Sequence, residues 1–274
     1  MKNIVSLLLM LVSSPVWSEK EPLWELGLGI ATLDNPHYLG SDQRETVALP
    51  VPYMVYRGDF FRADRDGINS SIYASERLNI QLSGGGALPV NSEDNTAREG
   101  MDDLDWIAEL GPTLQYQLFK NDKHLLRFDV PLHGAFTIGD SFFRHQGWTV
   151  NPRLHHSVDL GPWQLTSKLG PVFSDRRYHG YTYNIDQQDV RADRAFYQSN
   201  SGLTATRFSV SLKRRFNHYY VSLSAGYYDL HGAASEDSPL VKQDDYFSVA
   251  LVFSRILAKS KTLVAKKTPS DDSQ

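Results

Sequence analysis

The sequence predicts an all-β protein, a transmembrane antiparallel β-barrel of about 12 strands with short periplasmic turns and longer outer loops. Three observations predict it. Apolar and polar residues alternate along segments of about 11 to 16 residues, longer than the usual ~5 to 6 of soluble sheets and enough for a tilted membrane strand. The connections between those segments are tight and long in turn, as in outer-membrane barrels. An export signal stands at the N-terminus. Composition agrees. Of 274 residues, 41% are apolar and 22% charged, which describes a folded chain, yet no apolar run approaches the roughly 20 residues of a spanning helix. The absence of cysteine excludes disulfides, thiolate metal sites and a lipid-modified N-terminal cysteine. A formal charge of -4, from 28 basic and 32 acidic residues, leaves no basic excess for a nucleic-acid partner.

The elements follow in order. Lys2 precedes an apolar run from Ile4 to Val12, and Val16 and Ser18 occupy the small-residue positions of a cleavage site, so residues 1-18 read as a signal peptide. The barrel is assigned to residues 19-254. Trp24, Leu26, Leu28 and Ile30 alternate with Glu25 and glycines. Between residues 104 and 119, Leu104, Trp106, Leu110, Leu114, Tyr116 and Leu118 share one face, and Asp105, Glu109, Thr113, Gln115 and Gln117 share the other. The split recurs with Leu126, Phe128, Val130 and Leu132 against Arg127, Asp129 and His133, and again with Leu154, His156, Val158 and Leu160 against Arg153, His155, Ser157 and Asp159. Trp163, Leu165 and Leu169 oppose Gln164, Thr166 and Lys168, and Phe247, Val249, Leu251 and Phe253 close the series. Trp163, Phe173, Tyr219, Tyr227 and Tyr246 lie near segment ends, where interfacial girdles sit.

Long connections cover about residues 34-45, 88-103, 138-146, 174-201 and 231-244, whereas 120-123, 161-162 and 217-218 are tight. With the tight ones in the periplasm, a sixth outer hairpin is required between Phe60 and Ser75, and Asp64-Arg65-Asp66-Gly67 supplies its turn. Both termini then lie in the periplasm. By composition, residues 255-274 read as a disordered periplasmic tail, which together with Glu19 to Leu23 is where a periplasmic partner would engage.

Several runs are familiar as a set: Trp24-Glu25-Leu26-Gly27-Leu28-Gly29, then Pro36, Tyr38 and Gly40-Ser41-Asp42, then Leu49-Pro50-Val51-Pro52 and Tyr56-Arg57-Gly58-Asp59-Phe60-Phe61. With Gly100-Met101-Asp102-Asp103-Leu104-Asp105 and the Gly161-Pro162-Trp163 turn, their order and spacing resemble the MipA/OmpV family of Gram-negative outer-membrane proteins over most of residues 24-254. The resemblance implies a barrel in the cell outer membrane, in contact with lipid and lipopolysaccharide. For the family's namesake it implies a non-enzymatic scaffold linking a lytic transglycosylase to a peptidoglycan synthase; other members are described as porin-like proteins or adhesins. Scaffolding is the expected role here, with a narrow porin-like channel for small solutes or a surface adhesin as alternatives. The family ends its barrels on a terminal aromatic, and Tyr246, Ser248, Leu251 and Phe253 resemble that signal with 21 residues still to follow.

No catalytic, cofactor-binding or metal residues are assigned. His155, Ser157 and Asp159 share a face, as a base and its nucleophile would, but that face is the polar one and points into the lumen near the periplasmic end, away from any lipid substrate. The acidic loop of Glu93, Asp94, Glu99, Asp102 and Asp103 lacks a calcium-loop spacing. The lumen carries both signs of charge, with Glu25, Asp105, Glu109, Arg127, Asp129, Arg153, Lys168, Arg207, Lys213 and Arg215 inward, so a restricted or closed pore is expected.

Overall fold

The computed structural model describes residues 20-58, 61-64, 67-139 and 143-265. The signal peptide assigned to residues 1-18 lies outside them, as do residues 266-274 of the tail. In chain order the strands are β1 (Lys20–Pro22), β2 (Trp24–Pro36), β3 (Arg44–Arg57), β4 (Phe61–Asp64), β5 (Gly67–Ala74), β6 (Leu78–Ala87), β7 (Trp106–Lys120), β8 (His124–Ile138), β9 (Arg144–Val150), β10 (Arg153–Leu160), β11 (Trp163–Ser174), β12 (Gly202–Phe216), β13 (Tyr219–Asp229), β14 (Asp245–Lys259) and β15 (Leu263–Ala265). One eight-residue helix, α1 (Arg176–Tyr183), lies in the longest loop.

β2 to β14 form one antiparallel sheet in which, β9 and β10 apart, each strand pairs with the next in sequence and β14 pairs back onto β2. β9 and β10 are two halves of one strand, broken at Asn151-Pro152, where the proline has no amide to give the ladder. β8 pairs with both halves on one side and β11 with both on the other. Merging them gives twelve strands and a cyclic pairing order, which is the predicted barrel. The 64-67 hairpin is present as β4 and β5.

Alternation fixes which face is which. Leu28, Ile30 and Phe247 are 57%, 60% and 64% exposed on the outer surface, while Glu25, Asp129 and Thr113 are almost completely enclosed. This inversion of a soluble protein, greasy outside and polar inside, is what hydrocarbon as solvent demands. Aromatic pairs mark the two rims: Tyr227 on Phe247 at one, and Phe216 with Tyr219 and Phe253 at the other. Tyr246, expected in a girdle, instead faces inward and stacks on Tyr228 at 4.7 Å, because it shares parity with Ser248 and Ala250. Leu104 also departs from the pattern. It precedes β7, bridges to Val90 and is buried under the outer loops.

The C-terminal boundary needs correction. β14 continues past Phe253 to Lys259, still pairing with β2 through Lys259 and Glu25, and Leu263–Ala265 pair with Lys20–Pro22 as a separate two-stranded sheet. Residues 255-265 are therefore ordered by partners at the other end of the chain, which a reading of local composition does not register. Arg57 ties that small sheet to the barrel: its guanidinium donates to the carbonyl of Pro22 at 2.7 Å and pairs with Glu21 at 2.8 Å.

The wall has one thin sector. β4 pairs with β3 only at Tyr56 and Arg57, and β5 pairs with β6 only from Asn79 to Leu82. From Arg44 to Val55, β3 pairs with β2 throughout, and Ser83 to Ala87 of β6 pair with β7. Pro50 and Pro52 stand in this stretch of β3. Being two apart, their nitrogens point the same way.

Candidate functional site

The lumen holds a cavity of about 1250 Å³ between two closures. The outer closure is a cap made by four of the long loops. Tyr38, Val90, Leu104, Tyr183, Ile185 and Leu240, drawn from all four, form its apolar centre. Hydrogen bonds lock it: Tyr38 Oη donates to the carbonyl of Leu240, Tyr183 Oη to that of Leu39, and Arg98 Nη1 to that of Thr182. Arg194 donates to the carbonyls of Asp189, Ala97 and Glu99. Burial pushes the Tyr38 phenol up to about 12, and raises Tyr183 further, so both remain neutral donors.

The helix α1 drops from the cap into the barrel. Asp175 caps it, accepting from the Tyr178 amide at 2.9 Å. Gly147, at φ +123°, lies against this turn where a Cβ would collide with Asp175 and the Tyr178 amide, so only glycine lets β9 pass so close. Tyr178 Oη donates to Glu109 in the lumen at 3.0 Å. His179 is fully buried, its Nδ1 at 2.7 Å from the Asn200 carbonyl and its Nε2 at 2.9 Å from Thr204 Oγ1. Burial lowers the affinity of this imidazole for a proton.

The inner closure is ionic. Glu25, completely buried, accepts from Arg215 at 3.0 and 3.1 Å and from Tyr53 Oη at 3.3 Å, and pairs with Arg57 at 3.1 Å. Tyr53, Val55, Tyr220 and Ile256 pack around it. Lys213, opposite Gln164 and Ser222, belongs to the same inner part of the barrel, below the cavity. Seven of the ten charges expected in the lumen line the cavity: Asp105, Glu109, Arg127, Asp129, Arg153, Lys168 and Arg207. Asp129 is matched by Arg127 at 2.8 Å and by His155 at 3.2 Å. Arg153 and Arg207 have no carboxylate within ion-pair distance among the described residues, and the Arg153 Nε is buried without a hydrogen-bond partner. The strand between them presents Gly170, whose register partner is Arg207 and whose missing Cβ would strike Arg153. Two guanidiniums thus flank a position without a side chain, and Arg207 is steadied by the ring of Tyr228 at 5.0 Å.

The structure joins His155 to Ser157 at 3.0 Å as the spacing foretold, but the carboxylate beyond the imidazole is Asp129, not Asp159, which is exposed beside Gln164. The geometry is that of a hydrolytic chain, yet two features oppose catalysis. Arg127 Nη2 lies 3.0 Å from the same Nδ1 and competes with Asp129 for it, and neither His155 nor Ser157 lines the cavity. In the acidic loop Asp103 accepts from the Ser92 amide and Glu99 pairs with Arg191 at 3.7 Å, and among the described residues no three His, Asp or Glu side chains converge as metal ligands. Sequence reasoning missed Arg98, Arg194 and His179, since loop residues carry no period; the Tyr178, Tyr181, Tyr183 series was the available hint that this loop folds inward.

An apolar outer belt, a polar capped lumen and a cyclic twelve-strand sheet define an outer-membrane β-barrel. Residues 26–256 match the model of the family described as MltA-interacting protein MipA, and the chain belongs to that family. It is 26% identical over 255 residues to the putative outer membrane protein YiaT of Escherichia coli K12, covering 90% of this chain and 95% of that protein. Similar solved structures include a bacterial polysaccharide outer membrane secretin, with TM-score 0.41 at 8% identity over 86% of this chain and 99% of the other. An outer membrane channel from Pseudomonas putida F1 has TM-score 0.40 at 13% identity over 89% and 99%.

Proposed function

We propose that this protein is a non-enzymatic barrel that holds a periplasmic murein-remodelling assembly at the outer membrane, and that it does not act as an open pore. The observation that carries the reading is the joining of the two chain ends. The other periplasmic connections are turns of two or three residues and offer little surface, whereas β1 and β15 make a hydrogen-bonded platform fixed to the barrel by Arg57. A two-stranded sheet has free edges onto which a partner strand adds by backbone hydrogen bonding. The family's description as MltA-interacting protein supports a lytic transglycosylase as that partner, with a peptidoglycan synthase behind it.

A narrow solute channel is the second reading, favoured by the cavity itself. The cap and the Glu25 cluster oppose it, since a conducting path has to pass both. The test is capture of a lytic transglycosylase by the full chain in vesicles, compared with a chain truncated after Lys259. Retention by the full chain and loss on truncation supports docking at the platform. Equal retention places the contact elsewhere, and steady large conductance in planar bilayers with no capture replaces scaffolding by transport. Residues 1-18 are proposed to be removed on export, which the mass of the mature chain checks.

A further inference from the structure

The charges that line the cavity are unevenly matched. Asp129 is held by Arg127 and His155, and Glu109 by Tyr178 Oη at 3.0 Å with His133 Nδ1 at 3.6 Å. Asp105 stands exposed at the cap end, its amide bonded to Tyr181 of α1. Arg153 and Arg207 face the same space, and no carboxylate answers either of them among the described residues. Arg127 and Arg207 both bear on Arg153 as like charges, with Asp129 set against the three. A lysine in such a place can shed its proton, but a guanidinium keeps its charge at any pH the protein meets. Enclosing a charge without a partner is costly, so the pair calls for a counter-charge from outside the chain.

The ladder registers put the two arginines at one level of the wall. Asp129 lies opposite Arg153, and Gly170 on the intervening strand lies opposite Arg207, which in turn lies opposite Tyr228. Strands two apart are about 10 Å from each other, and the position between these two carries no side chain. The gap is fixed by backbone, since a Cβ at Gly170 would strike Pro152 and Arg153. One oxyanion in that gap can accept from both guanidiniums. The donors available to it are buried and unused: Arg153 Nε has no partner, and neither has the side-chain oxygen of Asn151 two residues earlier, which also lines the cavity, so that amide can turn its Nδ2 to an anion. One step toward the periplasm the wall changes from charge to hydroxyls. Ser209 and Ser248 flank Gly226 there, and all three line the cavity.

We infer that the lumen binds a small phosphate monoester, its phosphate between Arg153 and Arg207 and its hydroxylated body against Ser209 and Ser248. A phosphate monoester carries close to two negative charges and three acceptor oxygens, which matches two guanidiniums, whereas a single carboxylate leaves one of them uncompensated. The body is polar because the wall beside the pair offers hydroxyls. This site is independent of the periplasmic platform, and either can fail without the other.

The probe is glycerol 3-phosphate, titrated by calorimetry into the full mature chain folded in uncharged detergent. Glycerate, with one charge, and glycerol, with none, are the comparisons. Saturable binding of glycerol 3-phosphate is expected, at least about tenfold tighter than that of glycerate, with none for glycerol. It falls about tenfold or more in R207Q, a change at a side chain exposed to the cavity, and further in R153Q/R207Q, while R153K/R207K keeps the charge and part of the binding. Glycerate binding as tightly as glycerol 3-phosphate, or indifference to R207Q, overturns the site. Thermal unfolding in phosphate-free buffer separates a binding pair from one that braces the wall. Unmatched charges predict that R153Q/R207Q melts no lower than the wild type, and that glycerol 3-phosphate raises the melting temperature of the wild type alone. A lower melting temperature for the variant, with no ligand effect on the wild type, makes the arginines structural and overturns the proposal.

Discussion

Glu25 carries more of the inner closure than any other side chain. It is wholly enclosed, and two arginines and a tyrosine converge on it. Glu25→Ala leaves both guanidiniums facing a polar void, and removal of one partner from a buried ion pair costs about 3-5 kcal/mol. The expected outcome is a lower urea midpoint for unfolding from vesicles at unchanged slope, whereas Arg44→Ala, at an exposed pair with Asp34 on the outer surface, changes stability by about 1 kcal/mol or less. Residue identity at this depth was partly legible. Alternation placed Glu25 and Arg215 inward, but not together, because strands β2 and β12 are not neighbours and no local pattern encodes a contact across the lumen. The same limit hid Asp129 as the carboxylate beside His155; Asp159 was nearer in sequence but belonged to a strand end open to solvent.

At the scale of elements, the cap decides whether the barrel is a vessel or a pipe. Arg194 holds three carbonyls from two stretches of loop, with no carboxylate in ion-pair contact among the described residues, so Arg194→Ala loosens residues 97-99 from the 185-194 segment and leaves only the Arg191–Glu99 pair between them. Single-channel recording is expected to show brief openings in the variant and a quiet wild type; a wild type as conductive as the variant contradicts the role given to the cap. His179 adds a pH dependence. Its proton affinity is depressed in the fold, so the unfolded cap binds more protons below the ordinary imidazole value of about 6.5, and local stability falls as pH drops through that value towards the lower folded one. Amide exchange in residues 176-184 should accelerate on acidification and lose that response in His179→Gln. The strands and tight turns were legible because period and turn residues are local signals. The loops were read only as long. Their packing depends on Tyr38 meeting Tyr183 and Leu240 over great sequence distances, which periodicity does not report. The short β4 and β5 were legible in part.

For the whole molecule, the barrel class and strand number followed from parity, turn spacing and one required hairpin, since these are properties of each strand by itself. The ends did not follow: an apparently featureless tail became β15 by meeting β1, a pairing between residues more than 240 positions apart. Everything about membrane residence rests on one physical proposition, that the alternate apolar residues meet lipid. A cysteine-free chain allows it to be measured residue by residue along β14. Single cysteines placed in turn from Phe247 to Phe253, labelled with an environment-sensitive fluorophore in vesicles, should be quenched by a lipid-phase quencher at 247, 249, 251 and 253 and spared at 248, 250 and 252. Uniform quenching, or the opposite parity, contradicts the barrel and with it the capped lumen and the docking platform.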